Sequence, residues 1–512
     1  MIQELVTSEP AAVLNASLVE QLATAFEREG VVYSHWKSNI ALAELAAGET
    51  DLDLLVERQS LPQVLTTLSR LGFKRAIARW GAGEPGITHY YGRDPQTSEL
   101  IHVHLFSRVL TGESFVKSHL FPLEEMLLEN VTFHGPLRVT ARPAELVLFT
   151  LRMFIKYGSL PDLVVMRRKS AALRREVRWL QEGGGLADAL ALLKKHCPVV
   201  DAELFLQCVR ALEGEAPLIR RMMLARQVRR QLKGYARHGW AGRLLAYARM
   251  FWAEGQRRLL GHKQKNKVFE SGGALIAFVG AEATGKSTLV AETGHWLGSA
   301  FAVRTVHAGK PPATWLTAPL SLLLPLLRPR LSSLRTSRLE GHAAPSNGDA
   351  PPDRSKGPAA LIYALRAVIL AWERRQLLVR AGRAAANGEI VICDRYPSET
   401  VGAMDSPRLI ARTEEQGAGT IYNRLARLEQ RLYRQIPPPD IALRLHVSLE
   451  TAQQRNRDRI KDGKESADYV ASRHRHAREW HKQETRHVYD VDTEQPLAET
   501  IRQVKEAIWE SL

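Results

Sequence analysis

The chain of 512 residues contains only three cysteines, Cys197, Cys208 and Cys393. They are widely spaced and form neither a disulfide framework nor a metal-ligand pattern, so we expect a reducing cytosol as the compartment. No apolar run reaches the roughly 20 residues that a membrane-spanning helix needs. The first residues carry acids and lack the apolar core of a signal peptide. These absences predict a cytoplasmic protein without a transmembrane segment.

Acidic residues are scarce relative to basic ones, with 55 Asp and Glu against 71 Lys and Arg and a net charge of +16. Much of the excess lies between Leu218 and Phe269, where fourteen Lys and Arg accompany one acid, Glu254. Such a segment favours an anionic partner, either nucleic acid, an anionic membrane surface or a phosphate-rich substrate, and a solvated surface of connecting helices is the alternative. The basic residues are Arg220, Arg221, Arg226, Arg229, Arg230, Lys233, Arg237, Arg243, Arg249, Arg257, Arg258, Lys263, Lys265 and Lys267.

The length of the chain predicts two or three domains, and three regions differ in pattern. Residues 1–135 alternate helical periodicity with strand-like runs and predict a small α/β domain. Residues 136–265 contain amphipathic patterns and predict a basic helical region. Residues 270–512 alternate strand and helix signals, which predicts an α/β domain with a mostly parallel sheet covered by helices.

Two segments of the third region stand apart in composition. The stretch between about Ser333 and Pro358 is rich in Ser, Pro, Gly and charge, and we expect a disordered or mobile loop there. The preceding WLTAPLSLLLPLL is apolar and broken by Pro319 and Pro325. Core packing is its favoured interpretation, while the wall of an acceptor pocket and a membrane-surface contact are the alternatives.

A glycine-rich loop in this region fits the spacing G-x-x-x-x-G-K-[ST]. An apolar strand over Leu275 to Val279 is predicted before the loop, and a helix is predicted to begin near Lys286. Backbone N–H groups in such a loop surround phosphate oxygens, Lys286 reaches the β- and γ-phosphates, and Ser287 holds Mg²⁺. We therefore expect ATP and Mg²⁺ as cofactors. The predicted cofactor-binding residues are Gly280, Ala281, Ala283, Thr284, Gly285, Lys286, Ser287 and Thr288.

A second motif follows a long helical pattern from about Ala359 to Ala386, which Asn387-Gly388 ends. The predicted strand EIVICD then delivers Asp394-Arg395-Tyr396 to the carboxyl end of a parallel strand, where open α/β sheets bind ligands. Asp394 can position Mg²⁺ or its water shell, and Arg395 can bind the phosphate of an acceptor. A surface ion pair of these two residues is the alternative.

The third region resembles the thymidylate kinase family of P-loop kinases. The resemblance rests on the phosphate loop with an acid at Glu282, on Asp394-Arg395-Tyr396, on RNRDRIKDGKE after the strand IALRLHVS, and on the closing VYDVDTEQPLAETIRQVKEAI. It implies phosphoryl transfer with a mobile lid. The segment PSETVGAMDSPRL lacks the serine, tyrosine and glutamine pattern by which thymidylate kinases hold thymine. The acceptor therefore stays open as a nucleotide or another small molecule with a phosphate or hydroxyl group. The catalytic residues that the resemblance implies are Glu282, Lys286, Asp394, Arg395, Arg455, Arg457 and Arg459.

The first region carries Gly48-Glu49-Thr50-Asp51-Leu52-Asp53 at the start of a predicted strand. Alternation places Asp51 and Asp53 on one face, where two carboxylates can bind a pair of Mg²⁺ ions. With YSHWKSN before it and LIHVHLF after it, this motif resembles the nucleotidyltransferase superfamily over roughly the first 130 residues. That resemblance implies a third carboxylate in LIHVHLF, where this chain has His102 and His104. Imidazole is a poor Mg²⁺ ligand, so we favour a degenerate transferase domain over an active one.

The leading functional hypothesis is thus an ATP- and Mg²⁺-dependent phosphotransferase fused to a nucleotidyltransferase-like domain. One alternative is a nucleic-acid-binding protein whose P-loop domain acts as a switch. Another is a peripheral membrane enzyme of surface-polysaccharide assembly, since cationic helices and an apolar segment together give interfacial affinity.

Overall fold

A computed structural model describes residues 16–42, 51–79, 83–112, 116–157, 170–182, 185–214, 216–259, 267–309, 311–312, 358–399, 401, 405–410, 420–458, 474 and 480–512. The chain divides into two compact units, Met1–Lys267 and Val268–Leu512. Several predictions fall outside the described residues. These are the loop between about Ser333 and Pro358, the apolar segment at 315–327, residues 48–50 and Arg459.

The first unit begins with an α/β layer whose main sheet has the strand order β3-β4-β5-β2-β1-β9-β8. The pairs β1/β9 and β2/β5 are parallel, and the other neighbours in this order are antiparallel. The strands are β1 Tyr33–His35, β2 Leu52–Val56, β3 Lys74–Ala78, β4 Ile87–Arg93, β5 Leu100–Phe106, β6 Val109–Thr111, β7 His119–Phe121, β8 Val131–His134 and β9 Leu137–Thr140. The helices of this layer are α1 Leu18–Arg28, α2 Leu61–Arg70 and α3 Glu124–Glu129.

Helix α1 begins at a capping residue and buries one apolar side. Ser17 caps it, because the Ser17 hydroxyl accepts from the Glu20 backbone N–H while the Glu20 carboxylate accepts from the Ser17 N–H. Its residues Leu18, Leu22 and Phe26 recur at helical spacing and are buried against the sheet. This helix accords with the helical periodicity predicted within residues 1–135.

Helices make up the rest of the first unit. They are α4 Arg142–Lys156, α5 Ser170–Gln181, α6 Gly185–His196, α7 Ala202–Glu213, α8 Leu218–Gln231 and α9 Trp240–Leu259. One hydrophobic cluster contains Trp36 and Phe106 of the sheet layer together with Leu148 of α4 and Phe205 of α7. Because this core is continuous, residues 1–135 and 136–265, which composition separates, pack into a single unit.

The second unit is built on a parallel five-stranded sheet of order β12-β13-β11-β14-β15. Its strands are β11 Ala274–Gly280, β12 Val303–His307, β13 Ile390–Asp394, β14 Ile441–His446 and β15 His487–Asp492, and a short strand, β10 Lys267–Phe269, spans the boundary between the units. Its helices are α10 Lys286–Gly298, α11 Pro358–Ala386, α12 Thr420–Arg434, α13 Leu449–Asp458 and α14 Leu497–Ser511. The predicted parallel sheet is confirmed.

Helices cover both faces of this sheet, which explains why its central strands are continuously apolar. Every residue of β11 is buried. On one face Leu275 and Val391 pack against α11 and α12, and on the other Gly294 of α10 lies against Ile392. None of the described helices is long and apolar enough to cross a membrane.

Candidate active site

The phosphate loop lies between β11 and α10, as predicted. At Gly280 the backbone has φ +153, and a Cβ atom there would lie 2.7 Å from the Leu445 carbonyl oxygen, so only glycine fits. Gly285 has φ +85 and precedes the first residue of α10, Lys286. Ala283 also has a positive φ, +61, which costs about 1–2 kcal/mol for a residue with a Cβ atom. The sequence therefore holds a strained, tightly curved loop at the amino end of a helix.

The Lys286 side chain curls back over this loop and is only 6% exposed. Its Nζ atom donates to the Gly280 carbonyl at 3.0 Å and to Thr284 Oγ1 at 3.3 Å, and also contacts the Ala281 carbonyl. Burial lowers the pKa of Lys286 to about 8. At neutral pH the loop therefore holds a poorly solvated ammonium group next to the helix amino end, and both attract anions.

Ser287, in the first turn of α10, lies next to Asp394, the last residue of β13. Asp394 pairs with Phe278 in the β11/β13 register, and the Ser287 hydroxyl lies 3.3 Å from Asp394 Oδ2. Asp394 Oδ1 is buried, and no described residue forms a hydrogen bond with it. A serine hydroxyl beside a carboxylate oxygen that lacks a donor suits a hard cation such as Mg²⁺, so these two predicted ligands fit the ion.

Arg395 lies between two carboxylates. Its guanidinium donates to Glu282 of the phosphate loop at 2.9 Å and to Asp405 at 3.4 Å. The backbone of Arg395 adopts φ +74, a strained conformation for a residue with a Cβ atom. The structure thus joins Glu282 and Arg395, which were predicted separately, and adds Asp405, which sequence reasoning missed.

Arg374 of α11 binds Asp405, the partner of Arg395, and was also missed by sequence reasoning. Its side chain is 1% exposed and forms an ion pair with Asp405. It donates to the carbonyls of Ala308, Gly309 and Asp405 and to the Tyr433 hydroxyl. One buried guanidinium therefore ties the loop after β12, the segment at Asp405 and helix α12 to α11.

Arg455 of α13 borders a cavity of about 310 Å³ beside the phosphate loop. Its guanidinium donates to the Thr493 carbonyl at 2.7 Å, which links α13 to the segment after β15. Arg457 is exposed and lies two positions further on the same helix, so it faces a different direction. The residues that line the cavity are Ala283, Thr284, Gly285, Thr288, Leu289, Arg455, Thr493, Gln495, Leu497 and Thr500.

In the first unit, Asp53 is paired with one lysine and one histidine. Lys37 Nζ lies 2.9 Å from Asp53 Oδ1, and His104 Nδ1 lies 3.1 Å from the same oxygen. Burial by itself raises the pKa of Asp53, but the Lys37 ammonium and His104 outweigh it and hold this pKa below its usual range. Lys37 was not recognised from the sequence, because a single lysine shortly after the strand β1 matches no sequence motif.

Imidazole stands where the resemblance implied a third carboxylate. His104 is the partner of Asp53 in the parallel β2/β5 register, and His102 Nδ1 lies 2.6 Å from Asp51. The histidine rings stack on one another and do not point toward a common centre. The ring centroids of His89 and His104, for example, lie 4.4 Å apart. Within the described residues no group of three or more His, Cys, Asp or Glu side chains is arranged to hold a metal ion.

The basic segment divides into inward and outward side chains. Arg221 donates to the Ala211 and Gly214 carbonyls, Arg229 to the Ile155 carbonyl, and Arg237 to Glu84 at 2.8 Å. Arg221 and Arg229 link helices of the first unit to one another, and Arg237 links the segment before α9 to the α/β layer. The outward-facing basic residues whose side chains are described are Arg220, Arg226, Arg230, Lys233 and Arg249.

Comparison with known proteins gives distant structural neighbours only. No protein-family model and no curated protein matches the chain. Deoxyadenosine kinase from M. mycoides with bound dATP aligns over 46% of this chain and 98% of its own, with 20% identity and a TM-score of 0.27. Thymidylate kinase from Candida albicans aligns over 47% of this chain and 90% of its own, with 18% identity and a TM-score of 0.25. Likeness at this level carries no functional argument.

Proposed function

We propose that the second unit transfers a phosphoryl group from ATP to a small acceptor in a Mg²⁺-dependent reaction. The observation that carries the proposal is the meeting of three elements at one sheet edge. They are the glycine loop with Lys286, the Ser287 hydroxyl, and Asp394 at 3.3 Å from that hydroxyl. A phosphate loop alone indicates only anion binding, whereas an adjacent carboxylate adds a place for the metal that phosphoryl transfer requires.

The loop residues bind and orient the polyphosphate. Backbone N–H groups at the start of α10 and the Lys286 ammonium present positive charge. The ammonium, which donates to the Gly280 carbonyl, would donate to phosphate oxygens of a bound nucleotide. Ser287 and Asp394 would hold Mg²⁺, which supplies charge neutralisation on the phosphates. Because Lys286 is already buried, its charge acts in a poorly solvated site where it stabilises anions more strongly than in water.

The cavity beside the loop suits the base and ribose of the nucleotide. Leu289 and Leu497 supply apolar lining, and Arg455 and Thr493 supply polar groups at its border. Its volume of about 310 Å³ is at the lower end of the range usual for small-molecule pockets.

Arg395 faces the acceptor side. Glu282 and Asp405 fix its guanidinium in position before any ligand binds, so little side-chain entropy is lost when it contacts a phosphate. A fixed guanidinium is suited to a phosphate on the acceptor or to charge that develops during transfer. The acceptor class is accordingly a nucleotide or another small phosphate- or hydroxyl-bearing molecule.

A phosphorylation screen tests the proposal. The full chain is incubated with radiolabelled ATP, Mg²⁺ and sets of nucleosides, nucleoside monophosphates, sugars and sugar phosphates. Lys286→Met should reduce turnover at least roughly a hundredfold, because the main cation of the phosphate site is lost. Lys194→Met, which changes an exposed lysine on α6, should retain full turnover. Equal turnover in both variants would show that the reaction takes place elsewhere.

For the first unit, we propose a transferase-like domain that binds a ligand without efficient nucleotidyl transfer. The supporting observation is that Lys37 and His104 already engage Asp53, while His104 stands opposite it in place of a carboxylate. A carboxylate paired with a buried ammonium is a weak Mg²⁺ ligand, since the metal has to displace the lysine.

A further inference from the structure

Helix α9 presents a row of large apolar side chains to solvent. Trp252 is 71% exposed, Phe251 67%, Leu244 61% and Leu245 53%. These positions differ by one, seven and eight residues, so they fall within an arc of about 120° on one side of the helix. Scattered exposed leucines are ordinary, but two aromatic and two aliphatic side chains in one stripe form a continuous apolar patch.

Helix α8 exposes apolar and cationic side chains together. Ile219 and Met223 are 72% and 59% exposed, and Arg226 and Arg230 are exposed on the same side of the helix. The inner side carries Leu224, Ala225 and Val228, which belong to the hydrophobic core. The outer side of α8 therefore faces solvent, because a different side of the same helix packs into the hydrophobic core.

The basic residues of α8 and α9 indicate what kind of partner these helices bind. Residues 218–259 contain eleven Lys and Arg and a single acid, Glu254. Exposed Arg220, Arg226, Arg230 and Arg249 are attracted to phosphate groups, and this attraction is common to nucleic acid and to anionic lipid. Exposed leucine, isoleucine and methionine contribute little on a phosphodiester backbone, whereas they gain free energy when they enter the boundary between headgroups and acyl chains.

We propose that the outer sides of α8 and α9 bind the surface of a bilayer that contains anionic lipids. Leu244, Leu245, Phe251 and Trp252 enter the interface, and the neighbouring arginines contact lipid phosphates. Neither helix spans the bilayer, in keeping with the absence of a membrane-spanning helix among the described residues. This attachment is independent of phosphoryl transfer and would bring the protein's substrates or products to a membrane surface.

Vesicle flotation of the full chain tests the proposal. We expect the protein to float with vesicles of phosphatidylcholine and phosphatidylglycerol and to remain behind with phosphatidylcholine alone. The double variant Phe251→Ser, Trp252→Ser should weaken binding at least roughly tenfold, because two large apolar side chains no longer enter the interface. Arg226→Gln with Arg230→Gln should weaken binding by a similar factor and reduce its salt dependence.

A matched control comes from Phe133 on β8, which is 65% exposed and lies outside the basic segment. Phe133→Ser should bind vesicles like the unaltered chain. Absence of flotation, equal flotation with both vesicle types, or full binding by the Phe251→Ser, Trp252→Ser variant would each overturn the proposal. It would equally be overturned if the unaltered chain were a dimer in light scattering that this variant converts to a monomer, or if RNA displaced the vesicles.

Discussion

The buried pair of Arg374 and Asp405 gives the sharpest structural prediction. Replacing Asp405 by Asn keeps the size of the side chain and suits the backbone, since Asn tolerates the φ of +59 found at this position. What the change removes is the negative charge beside a guanidinium that is 1% exposed. An ammonium or guanidinium left uncompensated in a protein interior typically costs about 3–5 kcal/mol.

The structure places the expected cost near the lower limit of that range. Arg374 keeps its hydrogen bonds to the carbonyls of Ala308 and Gly309 and to the Tyr433 hydroxyl, so the guanidinium stays solvated by protein dipoles. We therefore expect Asp405→Asn to lower the free energy of unfolding of the second unit by about 3 kcal/mol. A change of that size corresponds to a roughly 150-fold loss of protection in hydrogen exchange.

Hydrogen exchange followed by mass spectrometry is the appropriate assay, because it reports on each unit separately within the full chain. Peptides from α11 and β13 should lose protection in Asp405→Asn, while peptides from the first unit serve as an internal reference. Asp490→Asn is the matched control: Asp490 also pairs with an arginine, Arg444, but its side chain is 53% exposed. An exposed pair contributes about 0–1 kcal/mol, so this variant should change protection less than about fivefold. If Asp405→Asn loses less than tenfold, Arg374 does not depend on the Asp405 charge and the reasoning fails.

Four further predictions concern the two candidate sites and buried titratable groups. Ser287→Ala and Asp394→Asn should each lower kcat at least roughly a hundredfold. The double variant should have a kcat little lower than either single variant, because both residues would bind the same Mg²⁺ ion. Additive losses in steady-state kinetics would contradict this. Since burial lowers the pKa of Lys286 from 10.5 to about 8, the unfolded chain binds more protons between these values. The nucleotide-free protein should therefore become more stable from about pH 8 to 10.5 in urea unfolding, and Lys286→Met should reduce that rise; the remainder comes from groups such as Lys37, whose pKa burial also lowers to about 8. Burial raises the pKa of Glu145 from 4.5 to about 7, so stability should fall as pH rises through this window, and the fall should be absent in Glu145→Gln. Asp51→Ala should leave nucleotide consumption unchanged, and a robust nucleotidyl transfer that disappears in this variant would show an active first unit.

Local pattern predicted the parts of the second site that lie next to each other in sequence. The apolar run before Gly280, the glycines of the loop and the helix after Lys286 each have a signature a few residues long. The position of Asp394 also followed, since an apolar strand that ends in a carboxylate delivers it to the carboxyl edge of a parallel sheet.

Arg374 and Asp405 carry no comparable signature. Arg374 lies within a 29-residue helix among other arginines, and only its partners at Ala308, Asp405 and Tyr433 decide that it is buried. Those partners come from three separate parts of the chain, so the burial is a property of the tertiary packing alone. The same holds for Lys37, whose role depends on a strand pairing that brings Asp53 and His104 to it.

The boundary predicted at 135/136 lies inside one compact unit. The helices of the basic region differ from the preceding α/β layer in sequence pattern, yet α4 is buried on nearly all sides against both. A helix that is buried on nearly all sides belongs to a shared core, and this burial of α4 indicates the packing more directly than the change in charge does.

The cavity beside the phosphate loop has one wall from residues 283–289 and the other from residues 493–500. A ribosome delivers the first wall long before the second, and the strand that separates them in the sheet, β14, also comes late in the chain. A nascent chain can fold the first unit, but the proposed nucleotide site is incomplete until both walls of the cavity have been synthesised. If this cavity binds ATP as proposed, ATP stabilises the second unit only after β15 and α14 have been synthesised and folded.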